Sequence, residues 1–175
     1  MRRLAFCVFP IILLIPSVIS LAQDSDMQTV ACNFDDGNQI SVQYNASPKS
    51  KEEPKNGKVW EPGGAPMTLY TQAPVTLNNV MIPTGAFSMY VIPNKKDWTL
   101  IVNKNVAAGS KYDESQDLAR ATMEMGNLSQ PVKPVQVVLA HMGEKVCSIR
   151  LYYGNVGVLT EFHEKSFTSV LRRFL

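Results

Sequence analysis

Pro74-Val75-Thr76-Leu77-Asn78-Asn79-Val80-Met81-Ile82-Pro83-Thr84-Gly85-Ala86-Phe87-Ser88-Met89-Tyr90-Val91-Ile92-Pro93-Asn94-Lys95-Lys96-Asp97-Trp98-Thr99-Leu100-Ile101-Val102-Asn103 decides the fold class. Short apolar runs are cut by Asn78-Asn79, by a Pro83-Thr84-Gly85 corner and by Pro93 through Lys96. Turns this close join antiparallel neighbours, because a parallel pair needs a crossover of about a dozen residues or more. The stretch therefore reads as a meander, and the expected fold is an all-β antiparallel β-sandwich, with a small barrel as the nearest variant.

The same grammar extends in both directions. Upstream, Thr29 to Phe34 and Gln39 to Tyr44 flank Asp35-Asp36-Gly37-Asn38, a hairpin in which Gly37 and Asn38 are expected to supply the positive φ angles. Between Ser47 and Asn56 charges and prolines replace periodicity, which is the composition of an exposed loop. Downstream, strands are expected at Ala121 to Met125, Val135 to Met142, Lys145 to Tyr153 and Val156 to Phe162, with turns at Gly143-Glu144 and Gly154-Asn155. One short helical segment is expected over Asp113 to Ala119, acidic at its start and closed by Arg120. The tail, residues 167–175, spaces Phe167, Val170, Leu171 and Phe174 for a short terminal helix, with fraying as the alternative.

Residues 1–22 read as a secretory signal: Arg2 and Arg3 precede an apolar run from Leu4 to Ile19, and Ser20-Leu21-Ala22 offers a small-x-small exit. Pro10 and Pro16 interrupt the run and disfavour its alternative, an uncleaved membrane anchor. Loss of Arg2 and Arg3 from 17 basic side chains leaves 15 against 15 acidic ones. A neutral chain without a long basic run lacks the concentrated positive field that nucleic acid or an anionic membrane selects. The expected organisation is a signal at 1–22, one domain over 23–166, and the tail. Cys7 departs with the signal, so Cys32 and Cys147 remain, and an exporting compartment permits them to pair. Cys32 shares a strand face with Val30 and Phe34, and Cys147 shares one with Ile149 and Leu151. A single disulfide is the economical reading; two separately buried thiols remain the alternative.

Searches for chemistry return little. His141 and His163 are the only histidines, no His or Cys pair has zinc spacing, and copper at Cys147, His141, His163, Met123 and Met125 competes with a disulfide and with methionines that read as core filler. No Gly-x-Ser-x-Gly elbow activates a nucleophile, and Gly63-Gly64 opens no helix for phosphate. His141 reads as a core or rim histidine and His163 as part of a solvated cluster with Glu161 and Glu164. Glu61, Asp97, Asp113 and Asp117 are carboxylates without an evident partner, Asp113 and Asp117 being spaced with Arg120 for local ion pairing. Trp60, Trp98, Tyr90, Tyr112, Tyr152 and Tyr153 are candidates for an aromatic platform, with burial the ordinary reading for both tryptophans.

Gly57-Lys58-Val59-Trp60, Ile82 through Pro93, Asp97 through Lys104 and Tyr112 through Arg120 occur in an order that resembles the secreted bacterial domain of unknown function 2911, over about residues 40–162. The resemblance implies an all-β exported domain without established activity. Members typically follow GKVW with an arginine, a Thr-Gly-Ala step, an asparagine and a glutamate. Here Glu61 replaces the arginine, Ala65 the asparagine and Pro66 the glutamate, so the Glu61 to Pro66 loop is expected to be chemically inert. The remaining binding candidates are Trp60, Lys104, Tyr112, Asp113, Asp117 and Arg120. No catalytic residue, metal or cofactor is assigned.

The reading that follows is an exported, periplasmic or secreted, non-catalytic binding or interaction module of the cell envelope. Its partner is expected to be an envelope protein or glycan, not nucleic acid, with membrane contact only through the cleaved signal. The alternatives are a carboxylate-using hydrolase on a sugar or peptide, and a purely structural envelope component.

Overall fold

A computed structural model describes residues 26–47, 53–107 and 109–165. The expected signal, the middle of the Ser47 to Asn56 loop and the tail helix lie outside the described residues. Among the described residues nine strands are present: β1 Met27–Asn33, β2 Gln39–Asn45, β3 Met67–Thr71, β4 Val75–Leu77, β5 Val80–Ile82, β6 Gly85–Pro93, β7 Trp98–Asn103, β8 Asp117–Gly143 and β9 Val146–Glu164. Neighbours are antiparallel in the order β1-β2-β3-β6-β7-β8-β9-β4-β5, so the chain is all-β, but the expected meander breaks at the Pro83-Thr84-Gly85 corner: β4 and β5 pair beside β9, whereas β6 crosses to lie between β3 and β7.

Strand β8 makes a sandwich out of this sheet. It runs for 27 residues, pairs with β7 as far as Met123, and pairs with β9 from Glu124 onward. One limb, β1-β2-β3-β6-β7, thus folds over the other, β9-β4-β5. Cys32 in β1 is joined to Cys147 in β9 by a disulfide, with Cα atoms 6.2 Å apart, inside the usual span of the bond. The limbs also meet at their turns, where the Asp35 amide donates to the Glu144 carbonyl at 3.1 Å. His141 Nε2 lies 3.0 Å from Asp35 Oδ1 there, a rim position. Between the limbs, alternate residues such as Ile40 and Val42, Leu69, Val91, Leu100, Ile149 and Phe162 form one apolar cluster. Each such side chain contributes about 1.5–3 kcal/mol relative to exposure.

Several expectations need correction. Met67 to Thr71, passed over by the alternation reading, is β3, with Met67, Leu69 and Thr71 turned inward. The helical segment shrinks to a single 3-10 turn, Glu114–Gln116, and Asp117 through Arg120 already belong to β8, because Asp117 pairs across to Asn103 instead of continuing a helix. Gly154-Asn155 is no turn: β9 runs through it, and Gly154 (φ 57°) opposes Val132 where the β8–β9 register shifts. Of the first hairpin, only Gly37 has positive φ. Met123 is core filler, whereas Met125 is exposed.

Candidate functional site

Strands β6 and β7 are buried on both faces. Phe87, Met89 and Val91 face the core, while Ser88 and Tyr90 are buried on the outer face beside Ile101 and Asn103 of β7. The cover is the segment after β7, which folds back so that the Lys104 amide donates to the Gln116 carbonyl at 2.9 Å and the Tyr112 ring meets the Tyr90 ring edge-on at 5.0 Å. A register shift between Val102 and Asn103 sets Asp117, instead of Leu118, opposite Asn103. That one-residue shift brings the carboxylate to the outer face while Leu118 packs on the core.

Around Asp117 the cluster closes. Asn103 Nδ2 donates to Asp117 Oδ1, and both Tyr112 OH and Arg120 Nε donate to Oδ2, each at 2.8 Å. Arg120 Nη2 also donates to the Tyr112 hydroxyl and to Glu114 Oε1, each at 2.8 Å. Asp113 stands one step outside: its Oδ1 caps the 3-10 turn by accepting from Ser115 N and Oγ, and its carbonyl accepts from Asn103 Nδ2. Burial first, and the Asp117 carboxylate second, push the Tyr112 phenol up to about 12. The Asp117 hydrogen bond in turn raises the Arg120 guanidinium above its ordinary value.

Tyr112, Asp113, Asp117 and Arg120 are therefore brought together, and Asn103 is the member that local spacing could not show. Lys104 contributes its backbone; its side chain is exposed and makes no contact with the cluster among the described residues. Trp60 is placed elsewhere. Its ring is 2% exposed, 5.7 Å from Trp98 and 5.1 Å from Tyr153, so it serves the core and is no platform.

The Glu61 to Pro66 loop and this cluster, far apart in sequence, meet at Tyr90. Trp60 and Val91 exchange backbone hydrogen bonds at 2.7 and 3.1 Å, which places Glu61 near Tyr90. Burial, then the Glu61 charge, raises the Tyr90 phenol, whose buried oxygen has no hydrogen-bond partner among the described residues. The loop itself is pinned: a Cβ on Gly63 (φ 80°) would fall 1.8 Å from the Asn45 carbonyl oxygen, and Asn45 Nδ2 donates to the Gly63 carbonyl at 2.9 Å.

Concave surface lies farther along the same face of β8. A cavity of about 370 Å³ opens where β8 and β9 part, lined by Asn78, Thr122, Glu124, Glu161 and His163 among others. Asn78 Nδ2 reaches across the fork to the Arg120 carbonyl at 3.3 Å. Glu124 and Leu159 also line a second hollow of about 300 Å³, which includes Gly126, Gly157, Arg150 and Tyr152. Leu128 and Tyr152 continue into a third, of about 310 Å³, with Gln130 and Gln136. The three share walls and form one groove. Sequence reading reached Tyr152 as an aromatic candidate and missed Gly126 and Gly157; two glycines inside strand-forming runs were the available signal. Among the described residues no group of three or more His, Cys, Asp or Glu side chains is placed to hold a metal ion.

No curated protein and no solved structure matches the chain. The model of a family described as protein of unknown function (DUF2911) matches residues 25–162, most of the sequence, and the chain belongs to that family.

Proposed function

We propose that the chain is an exported binding or interaction module of the bacterial cell envelope, acting without a cofactor on an envelope protein or glycan. Export is supported by the signal-like residues 1–22 and by a disulfide, which persists in oxidising compartments. The observation that carries the binding reading is the contrast between cluster and groove. Both oxygens of Asp117 are engaged by Asn103, Tyr112 and Arg120, so its lone pairs are committed to holding the fold and are poorly placed to take a substrate proton. The groove, by comparison, is open and lined by side chains of mixed polarity, the usual make-up of a recognition surface. The test has two parts: fractionation of cells producing the chain, and retention of solubilised envelope material on the immobilised exported protein. Export to the envelope and a retained component lost from a groove variant are expected. Cytoplasmic protein, or retention indifferent to the groove, refutes the proposal.

One observation favours the second reading, a carboxylate-using hydrolase. Glu124 and Glu161 line one cavity, and Glu161 Oε2 lies 3.4 Å from His163 Nε2. Release of new reducing ends or amino termini from envelope material, abolished by Glu124→Gln or Glu161→Gln, would decide for it.

A further inference from the structure

Gly126 and Gly157 face each other across the β8–β9 ladder, on the outer face, because their neighbours Met125 and Val158 pair on the other. Glycine weakens a strand interior, and an opposed pair removes one whole rung of side-chain contact. The two positions have different reasons. A Cβ on Gly157 would come within 3.1 Å of the Tyr152 ring and 3.3 Å of Leu128 Cδ2, so this glycine seats the tyrosine. A Cβ on Gly126 would meet nothing within 4 Å, and Gly126 has no left-handed φ. The fold gives no reason for its bare backbone. What the missing side chain does leave is an open floor, midway along the groove between Glu124 and Tyr152.

We infer that this groove is a binding site for a linear, largely uncharged glycan, whose chain crosses the Gly126–Gly157 floor and stacks one ring on Tyr152. The inference rests on the binding-module reading and names its ligand class. Form comes first: three hollows in series along two strands, each sharing lining residues with the next, suit a polymer. Tyr152 stands in the wall shared by the second and third hollows, where an aromatic ring offers an apolar face and a polar edge. Asn127, Gln130 and Gln136 flank it, each able to donate and accept, which matches hydroxyl and acetamido groups. Across the groove Glu124 and Glu161 stand against Arg150, a formal difference of a single charge, so no strong field selects a polyanion or polycation. An extended peptide would gain affinity by adding to a free strand edge. Here Glu124 to Asn127 already pair with β9, and recognition falls to side chains.

The full exported protein is titrated with β-1,4-linked hexasaccharides of N-acetylglucosamine and of glucose, and in parallel with a library of extended peptides, by calorimetry. Binding of at least one hexasaccharide is expected, weakened about tenfold or more by Gly126→Val and by Tyr152→Ala. Gly126→Val is also expected to leave the unfolding midpoint unchanged or raised, since a β-branched side chain there fills open space in a strand. That combination, firmer fold and lost ligand, is one a structural glycine would not give. No hexasaccharide binding, or binding indifferent to both substitutions, overturns the inference; peptide binding abolished by Gly126→Val assigns the groove to peptides and overturns it too. Groove-dependent retention of envelope material without hexasaccharide binding rejects the glycan and leaves the binding module standing, whereas failure of both removes the two together.

Discussion

Replacing Cys32 and Cys147 together by alanine removes the one covalent tie between the limbs of the sandwich. The bond spans 115 residues, and the chain-entropy relation for a closed loop of that length gives about 4.8 kcal/mol of lost stability. At about 2–4 °C per kcal/mol for a chain of this size, the thermal midpoint falls by about 10–20 °C. The loss is not evenly distributed. Strand β1 is at the edge of the sheet, its ladder shared only with β2, and Cys32 is where it is fastened to β9. Without the bond, β1 can leave while β6 and β7, buried on both faces, stay folded. Urea unfolding of the oxidised protein and the double variant gives the global figure, and amide exchange locates it: protection is expected to drop first in Thr29 to Cys32 and last in β7. An intact mass showing two free thiols in exported protein, or an unfolding midpoint that the double substitution leaves alone, would falsify the reasoning.

Three more outcomes follow from the cluster and the sheet edge. Arg120→Ala is expected to cost about 2 kcal/mol, because it leaves Asp117, only 12% exposed, without its cationic partner; Arg120→Lys should recover under half of that in urea unfolding, as an ammonium cannot serve Asp117, Tyr112 and Glu114 at once. Alkaline titration followed by phenolate absorbance should show Tyr112 ionising near 12, assigned by its absence in Tyr112→Phe; because the folded value is raised, its stabilising contribution is complete below about pH 10 and is lost as pH rises through 12. Glu164 is buried, with Oε1 accepting from Asn38 and Oε2 without a hydrogen-bond partner among the described residues, and burial raises its pKa above that of an unfolded glutamate. Stability tied to it is therefore full in acid and lost as pH rises through the folded value, so Glu164→Gln should gain about 1 kcal/mol at pH 7 and less at pH 4; equal gains at both pH values would contradict this.

Much of the fold was legible because period-two burial is imposed by the pleat itself. Ile40, Val42 and Tyr44 alternate with polar neighbours in sequence and with half-buried ones in space, and Asn78-Asn79 take the φ angles of 48° and 63° that a tight hairpin demands. The failures share a cause: they concern residues whose state is set by a partner far along the chain. Ala121 to Met125 and Val135 to Met142 read as separate strands, yet β8 runs from one to the other through Pro131 and Pro134, because register shifts against β9 carry the irregular stretch. Asp113 and Asp117 have helical spacing, but Asn103 claims Asp117 from β7 and the backbone extends. At the candidate site, Tyr112, Asp117 and Arg120 could be grouped by proximity in sequence. Tyr90 was reachable only as a general aromatic candidate; its place against Tyr112, and those of Asn103 and the Gly126–Gly157 rung, became visible only with the strand register.

Register also explains how one strand carries both a scaffold and a recognition surface. Arg120, Thr122, Glu124 and Gly126 succeed one another on the outer face of β8, while Ala119, Ala121 and Met123 hold the inner face in the core. The first outward residue is fixed by three partners and leaves little to offer a ligand. The last has no side chain and opens the groove. Between them, Asn78 binds the Arg120 carbonyl and lines the fork, so the end of the groove is referenced to the cluster through backbone, not through the guanidinium. A ligand crossing the Gly126–Gly157 floor would therefore meet a surface whose position is set by Asp117 and Arg120 but whose chemistry is set by Glu124, Arg150 and Tyr152. Loss of the Arg120 side chain should loosen the sheet without rewriting what the groove selects, and the residues that define selection are those for which the core has no use.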